Sequence, residues 1–187
     1  MNYYTEFFTN QYYHVYNRGN NGEKIFFTPE NYRFFLRRLD EYLSNCIEIY
    51  AYCLMQNHFH LLVKVKDRTS IKDQFRLFFL SYSKAINKQW GRTGSLFQKR
   101  FKRIIIEGRA SLCRTTVYIH TNPVHHKIQE DFKNYKYSSF QSIFNDKETK
   151  IKREEVLNWF GGYENFITQH QERLIELDIP DLDLPDS

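Results

Sequence analysis

Cysteine is scarce in this chain: three in 187 residues, Cys46, Cys53 and Cys113, an odd number at scattered spacings. No Cys-x-x-Cys pair occurs, which excludes a zinc knuckle. The pattern offers no disulfide framework, so a reducing, cytoplasmic setting is expected. Also missing is any run of about 18 apolar residues, so no membrane span is expected. Residues 1–5 lack a basic stretch leading into an apolar one, and no signal peptide is expected. There is no glycine-rich loop followed by Lys-Ser or Lys-Thr, which argues against an engine driven by nucleoside triphosphates. Internal repeats and low-complexity tracts are lacking too.

In excess are aromatic side chains and, in one region, positive charge. Phe and Tyr number 17 and 14, and aromatics make up 18% of the chain. The net charge of +5 is unevenly spread. Residues 1–63 hold 5 Lys and Arg against 6 Asp and Glu, residues 64–127 hold 15 against 3, and residues 128–187 hold 7 against 13. A middle third at +12 between a near-neutral and an acidic end exceeds what solubility needs and points to a polyanion. Combined with the aromatic content, it makes nucleic acid the first partner to consider.

Residues 12–16 read as a strand that stops at the turn-rich Asn17-Arg18-Gly19-Asn20-Asn21-Gly22. Thr28 caps a helix opened by Pro29, with Tyr32, Phe35, Leu36, Leu39 and Leu43 at helical spacing. Residues 46–54 and 58–65 read as the two strands of a hairpin. Ser70 caps a helix over 71–90, and residues 101–107 read as a further strand. A helix over 109–122 is expected to stop at Pro123. The order is the ferredoxin-like β-α-β-β-α-β pattern. The expected class is therefore α+β, a ferredoxin-like sandwich with an added helix. Residues 128–187 read as a C-terminal helical extension packed on it, with helical pieces at 138–140, 154–159 and 163–177 and an acidic, frayed tail.

His58-Phe59-His60 lies within the second hairpin strand. Alternation sends both imidazoles to one face and Phe59 to the other. Two imidazoles on one face suit a divalent metal, and equally suit hydrogen-bonded surface histidines. Neither is expected to serve as core packing. Tyr118 and Asn122 stand i, i+4 on the third helix and share a face. A phenol titrates near 10 and is a poor nucleophile unaided, but becomes useful on a phosphodiester polarised by a metal, to which Asn122 can add a hard oxygen. Tyr82 on the preceding helix and the tyrosines of the first strand are the possible substitute nucleophiles. Lys99, Arg100, Lys102 and Arg103 are interleaved with Phe97 and Phe101, suiting phosphates and bases, and Asn17 and Arg18 form a smaller phosphate-binding candidate. His14 reads as structural, His120 as lying off the Tyr118 face, and His125 and His126 as touching DNA or nothing.

The segment Leu54-Met55-Gln56-Asn57-His58-Phe59-His60-Leu61-Leu62-Val63 closely resembles the HUH motif (histidine, bulky apolar residue, histidine) of one-tyrosine transposases. Gly94-Ser95-Leu96-Phe97-Gln98-Lys99-Arg100-Phe101-Lys102 resembles the middle segment of their REP-associated branch, and Tyr118-Ile119-His120-Thr121-Asn122-Pro123-Val124 its tyrosine helix. With Tyr13-His14-Val15 and Asn17-Arg18, the resemblance covers about residues 12–126. Two departures stand out: Gln56 where the family commonly has Pro, and His125-His126-Lys127 where it commonly has Arg-Ala-Gly.

The resemblance implies a catalytic domain over residues 1–127, Mg²⁺ or Mn²⁺ as cofactor, and single-stranded or hairpin DNA as substrate. It makes His58, His60 and Asn122 metal ligands and Tyr118 the nucleophile of a strand cleavage that passes through a 5′-phosphotyrosine. It allows a monomer or a homodimer. The rival readings are a non-catalytic nucleic-acid-binding ferredoxin-like protein derived from a transposase, and a hydrolase using an activated water. Intact His58, His60, Tyr118 and Asn122 weigh against the first, and the lack of a carboxylate base near the motif against the second.

Overall fold

The computed structural model describes residues 3–145 and 147–177, so the acidic tail expected from residue 178 lies outside the described residues. Its elements run β1 (Tyr12–Arg18), α1 (Pro29–Leu43), β2 (Ile47–Met55), β3 (His58–Val65), α2 (Ile71–Trp90), β4 (Lys102–Ile106) and α3 (Arg109–His125). Three further helices follow: α4 (Phe140–Phe144), α5 (Arg153–Phe160) and α6 (Tyr163–Leu177). The four strands form one antiparallel sheet in the order β2-β3-β1-β4. That is the expected ferredoxin-like arrangement, with β1 and β3 at its centre.

Local chemistry sets the element ends. At the start of α1, Asn31 Oδ1 accepts the N–H of Thr28 at 3.2 Å and of Phe27 at 3.0 Å. Tyr32, Phe35, Leu39 and Leu43 then face inward at helical spacing. Helix α2 ends where Gly91 turns left-handed at φ 60°. In the β2–β3 turn, the Gln56 carbonyl accepts from Ile25 and Phe26, so the departure at Gln56 leaves the turn tied down by backbone bonds.

Helices cover both sheet faces. Tyr13, Val15, Phe59, Leu61 and Val63 meet α1 and α2 in an aromatic-rich core with Phe35, Phe75, Phe78 and Tyr82. The opposite face offers Ala51, Cys53, Met55 and Leu62 to α3 and to Phe132, Phe140, Phe160 and Phe166 from the C-terminal third. All three cysteines are buried and unbridged. No helix among the described residues is long and apolar enough to cross a membrane.

One boundary differs from expectation: α3 continues through Pro123 to His125. Pro123 falls in the last turn, where its missing N–H costs a single bond. The turn closes around it because His126 N–H donates to Asn122 O at 3.0 Å and Ile128 N–H to Pro123 O at 2.8 Å. Asn122 is therefore helical and does share a face with Tyr118.

A buried polar chain fastens α3 to α6. His170 Nδ1 donates to Phe166 O at 2.7 Å, so His170 Nε2 must accept. His120 Nδ1 donates to it at 3.0 Å, which leaves His120 Nε2 to accept from Ser139 Oγ at 2.8 Å. Both imidazoles are fully buried.

Candidate active site

Strands β1 and β3 place Tyr16 opposite His60 and Arg18 opposite His58. The imidazoles of His58 and His60 leave the sheet on the α3 side, ring centroids 5.3 Å apart. Phe59 points the other way and packs against Phe35 at 5.0 Å. His58 is half-buried, but His60 is only 1% exposed, so the expectation that both stand clear of the packing fails for His60. The reason is its place on a central strand beneath α3.

Each histidine is gripped at Nδ1. Asn57 Nδ2 donates to Gly22 O at 3.3 Å, so the Oδ1 lying 2.6 Å from His58 Nδ1 is an acceptor. His58 therefore carries its proton on Nδ1, and Nε2 is a lone pair. His60 Nδ1 meets His14 Nε2 at 2.9 Å. Burial pushes His14 and His58 down to about 3, with His126 and Arg18 adding to the effect on His58, and holds His60 well below the usual imidazole range. These rings are neutral near pH 7.

On α3, Asn122 is fully buried and its Nδ2 donates to Tyr118 O at 3.3 Å. Its Oδ1 accepts nothing, and neither does His58 Nε2. Asn122 lies close enough to His58 to favour the charged imidazole. Two buried acceptors brought together without a donor are a place for a cation. Among the described residues no three His, Cys, Asp or Glu side chains are placed to hold a metal ion together, so a cation here would rest on imidazole and amide ligands. Tyr118 is half-buried, its ring edge-on to His60 at 5.5 Å and to His14 at 5.8 Å.

A cavity of about 660 Å³ opens beside the histidines, lined in part by Arg18, Lys24, His58, His60, Lys102 and His126 and by no carboxylate. Tyr118 and Asn122 do not line it; they meet the histidines from the helix side. Of the basic candidates, Lys99 and Arg100 are exposed. Arg103 is occupied: its guanidinium donates to the carbonyls of Thr5 and Tyr4 and lies over Phe7 and Phe101. Asn17 is buried, accepting from Arg18 N at 2.9 Å and donating to Gln98 O at 3.4 Å. Phe97 packs against Phe59, Phe79 and Tyr82, and Phe101 against Phe75 and Phe79. Phe97 is thus a core residue rather than a ring open to bases, while Phe101 is half-buried against the same core and keeps one side at the surface. Tyr82, one of the substitute nucleophiles, is fully buried on the far side of the sheet and donates to Ile25 O at 2.8 Å.

Two site residues went unassigned by sequence reasoning. His14 is the partner of His60, and alternation along β1 already placed it on a face with Tyr16. His126 packs on His58 at 4.7 Å, with its Nε2 buried and unpartnered. Its signal was the departure after Asn-Pro-Val.

Comparison with known proteins bears on the fold and the family. A solved REP-associated tyrosine transposase, bound to a REP hairpin, superposes with a TM-score of 0.63 over 76% of this chain and 84% of that one, at 16% identity, a likeness of fold. A candidate REP-associated tyrosine transposase of Haemophilus influenzae is 30% identical over 103 residues, half of this chain and 58% of that relative. The family model for IS200-like transposases matches residues 7–122, from the segment before β1 to Asn122, and the chain belongs to that family.

Proposed function

We propose that this protein cleaves and rejoins single-stranded or hairpin DNA through a covalent tyrosine intermediate. The observation that carries the reading is the pair of donor-less buried acceptors, His58 Nε2 and Asn122 Oδ1, on the same side of the sheet as Tyr118. His58, His60 and Asn122 would hold Mg²⁺ or Mn²⁺, which when bound supplies charge withdrawal from a phosphodiester. Asn57 and His14 keep the two imidazoles in fixed orientations from behind. Arg18 and Lys102 supply positive charge around the cavity, and no lining carboxylate opposes a phosphate there. Asn17, Lys99, Arg100 and Arg103 extend the candidate contact surface, with Lys99 and Arg100 the most accessible.

In the reaction, Tyr118 Oη gives up its proton to solvent and forms a bond to phosphorus as the bond from phosphorus to the 3′ oxygen breaks. The 3′ oxygen leaves and takes up a proton. The 5′ side stays on the enzyme as a phosphotyrosine whose ester energy is kept for rejoining, so no ATP is required. Residues 1–127 serve as the catalytic unit, and the helical extension that begins at residue 128 covers α3 through Phe132, Phe140, Phe160 and Phe166. One chain supplies both His60 and Tyr118, so a monomer is competent on this reading.

The test is a denaturing gel of the protein incubated with Mn²⁺ and a labelled hairpin oligonucleotide with single-stranded ends. A covalent band that requires Mn²⁺ and Tyr118 is expected. Cleavage without a band points to an activated water, and binding without cleavage to a non-catalytic relative.

A further inference from the structure

A second groove, of about 900 Å³, runs along the other side of the segment 94–103, walled by α2. Lys72, Arg76 and Lys84 of α2 line one wall, and Lys99, Arg100 and Arg103 the other. These are six of the 15 Lys and Arg of the basic middle third, and no Asp or Glu lines the groove. Phe79, Leu80 and Phe101 lie between the walls, and Leu80 is 44% exposed.

The spacing is regular. Positions 72, 76, 80 and 84 recur every fourth residue and share a face of α2, spanning about 18 Å. Existing compensation is weak: Lys72 pairs with Glu6 at 3.2 Å and Arg76 with Asp73 at 3.5 Å, all four side chains largely exposed. Lys84, Lys99 and Arg100 form no ion pair among the described residues.

The groove adjoins the candidate active site. Asn17 and Gln98 line both cavities and are joined by the Asn17 Nδ2 to Gln98 O bond. A chain of phosphates leaving the histidines beside Lys102 meets this divide and then the cations of α2. Cations flanking an apolar floor fit a single strand, whose bases are free to lie on Leu80 and Phe79 while phosphates meet the walls. A duplex hides its bases and would use only the rims.

We infer that the α2 groove holds the single-stranded DNA flanking the cleavage point, in continuity with the active-site cavity across Asn17 and Gln98. The inference rests on the DNA-cleavage reading and names where that substrate runs.

The experiment compares the full chain with a Lys72→Ala, Arg76→Ala, Lys84→Ala variant, and separately with Leu80→Asp, each checked for a native circular dichroism spectrum. The probes are a labelled DNA hairpin without overhangs and the same hairpin with an oligothymidine flank, titrated by fluorescence anisotropy over a range of salt. The native chain is expected to bind the flanked probe more tightly and with a steeper salt slope. The triple variant is expected to lose that gain, its slope on the flanked probe falling by about 2 at roughly 0.7 per phosphate contact, while its binding of the blunt hairpin changes much less. Leu80→Asp is expected to reduce flank binding as well. A triple variant that keeps the full gain from the flank overturns the inference, as does a native chain indifferent to the flank. In both cases an Mn²⁺-dependent Tyr118 adduct leaves the cleavage reading standing. A native chain that binds neither probe and forms no adduct overturns both.

Discussion

The Tyr118 ring stands edge-on to His60 of its own chain, centroids 5.5 Å apart at 85°. Tyr118→Phe keeps that contact and removes only the hydroxyl. The adduct band is expected to vanish while hairpin affinity changes less than about twofold, since the ring is kept and a single hydroxyl contributes little to binding. The cis arrangement adds a sharper expectation. Mixing Tyr118→Phe protein with His58→Ala protein should not restore cleavage, because neither chain then holds a complete site. Restored cleavage in the mixture would show that the tyrosine helix serves a partner.

His58 and His60 look equivalent in the motif and are expected to behave differently. Each alanine variant should lose Mn²⁺-dependent cleavage. His58→Ala removes a half-buried ring whose Nε2 has no partner, and should leave stability within about 1 kcal/mol. His60→Ala empties a fully buried site and strands His14 Nε2, which should cost about 2–4 kcal/mol. Urea unfolding of the two variants checks this. Equal midpoints would mean that the His14–His60 bond contributes nothing to the fold.

What the sequence disclosed was whatever depends on local period. Alternation along residues 58–60 put both imidazoles on one face, and the i, i+4 spacing joined Tyr118 to Asn122. Long-range pairings were hidden. Nothing near His14 in the chain tells that β1 lies beside β3 in the register that puts His14 opposite Leu62 and diagonally within hydrogen-bond reach of His60. Phe97 looked like a base-stacking ring because its neighbours are basic; only the packing of α2 reveals it as core. Pro123 read as a helix stop because the rule is local, whereas the backbone bonds after residue 125 that hold the last turn depend on how the chain folds back.

His14 offers a test of how the site is held. If the His60 Nδ1 proton is donated to His14 Nε2, replacing His14 by Phe removes the acceptor but fills the space. Mn²⁺ affinity, followed by electron paramagnetic resonance without DNA, is expected to fall about 10–100-fold, the usual cost of losing such an outer partner. His14→Gln restores an acceptor and should recover part of it. Unchanged affinity in His14→Phe would make His14 a packing residue.

Acid should destabilise this fold early. Burial lowers His14 to about 3 and His170 to about 4, and holds His60 and His120 well below the usual value. The unfolded chain takes up these protons near pH 6.5 while the folded chain refuses them. Stability is therefore full above about pH 6.5 and falls as the pH drops toward 3–4, by up to about 1.4 kcal/mol per pH unit for each such group. Four groups acting together can remove most of an ordinary domain's 5–15 kcal/mol within about two units. Urea midpoints measured from pH 8 to pH 5 should be level at first and then decline steeply. A flat profile to pH 5 would show that the buried rings are protonated without penalty.

The C-terminal third should be indispensable to the tyrosine helix. Tyr50, Ala51, Cys53, Val117 and Ile119 are buried in the core that Phe132, Phe140, Phe160 and Phe166 complete. A chain ending at residue 127 would expose that whole surface and leave His120 Nδ1 and Nε2 without His170 and Ser139. Such a chain is expected to aggregate or to show no cooperative unfolding. Because truncation is a blunt change, His170→Phe isolates the polar term. It keeps an aromatic ring of similar size beside Phe166 and removes the acceptor for the His120 proton, at an expected cost of about 1–3 kcal/mol. It should leave Tyr118 adduct formation measurable at low temperature, since the nucleophile itself is untouched. A truncated chain that unfolds cooperatively and still forms the adduct would show that α3 needs no cover from the extension.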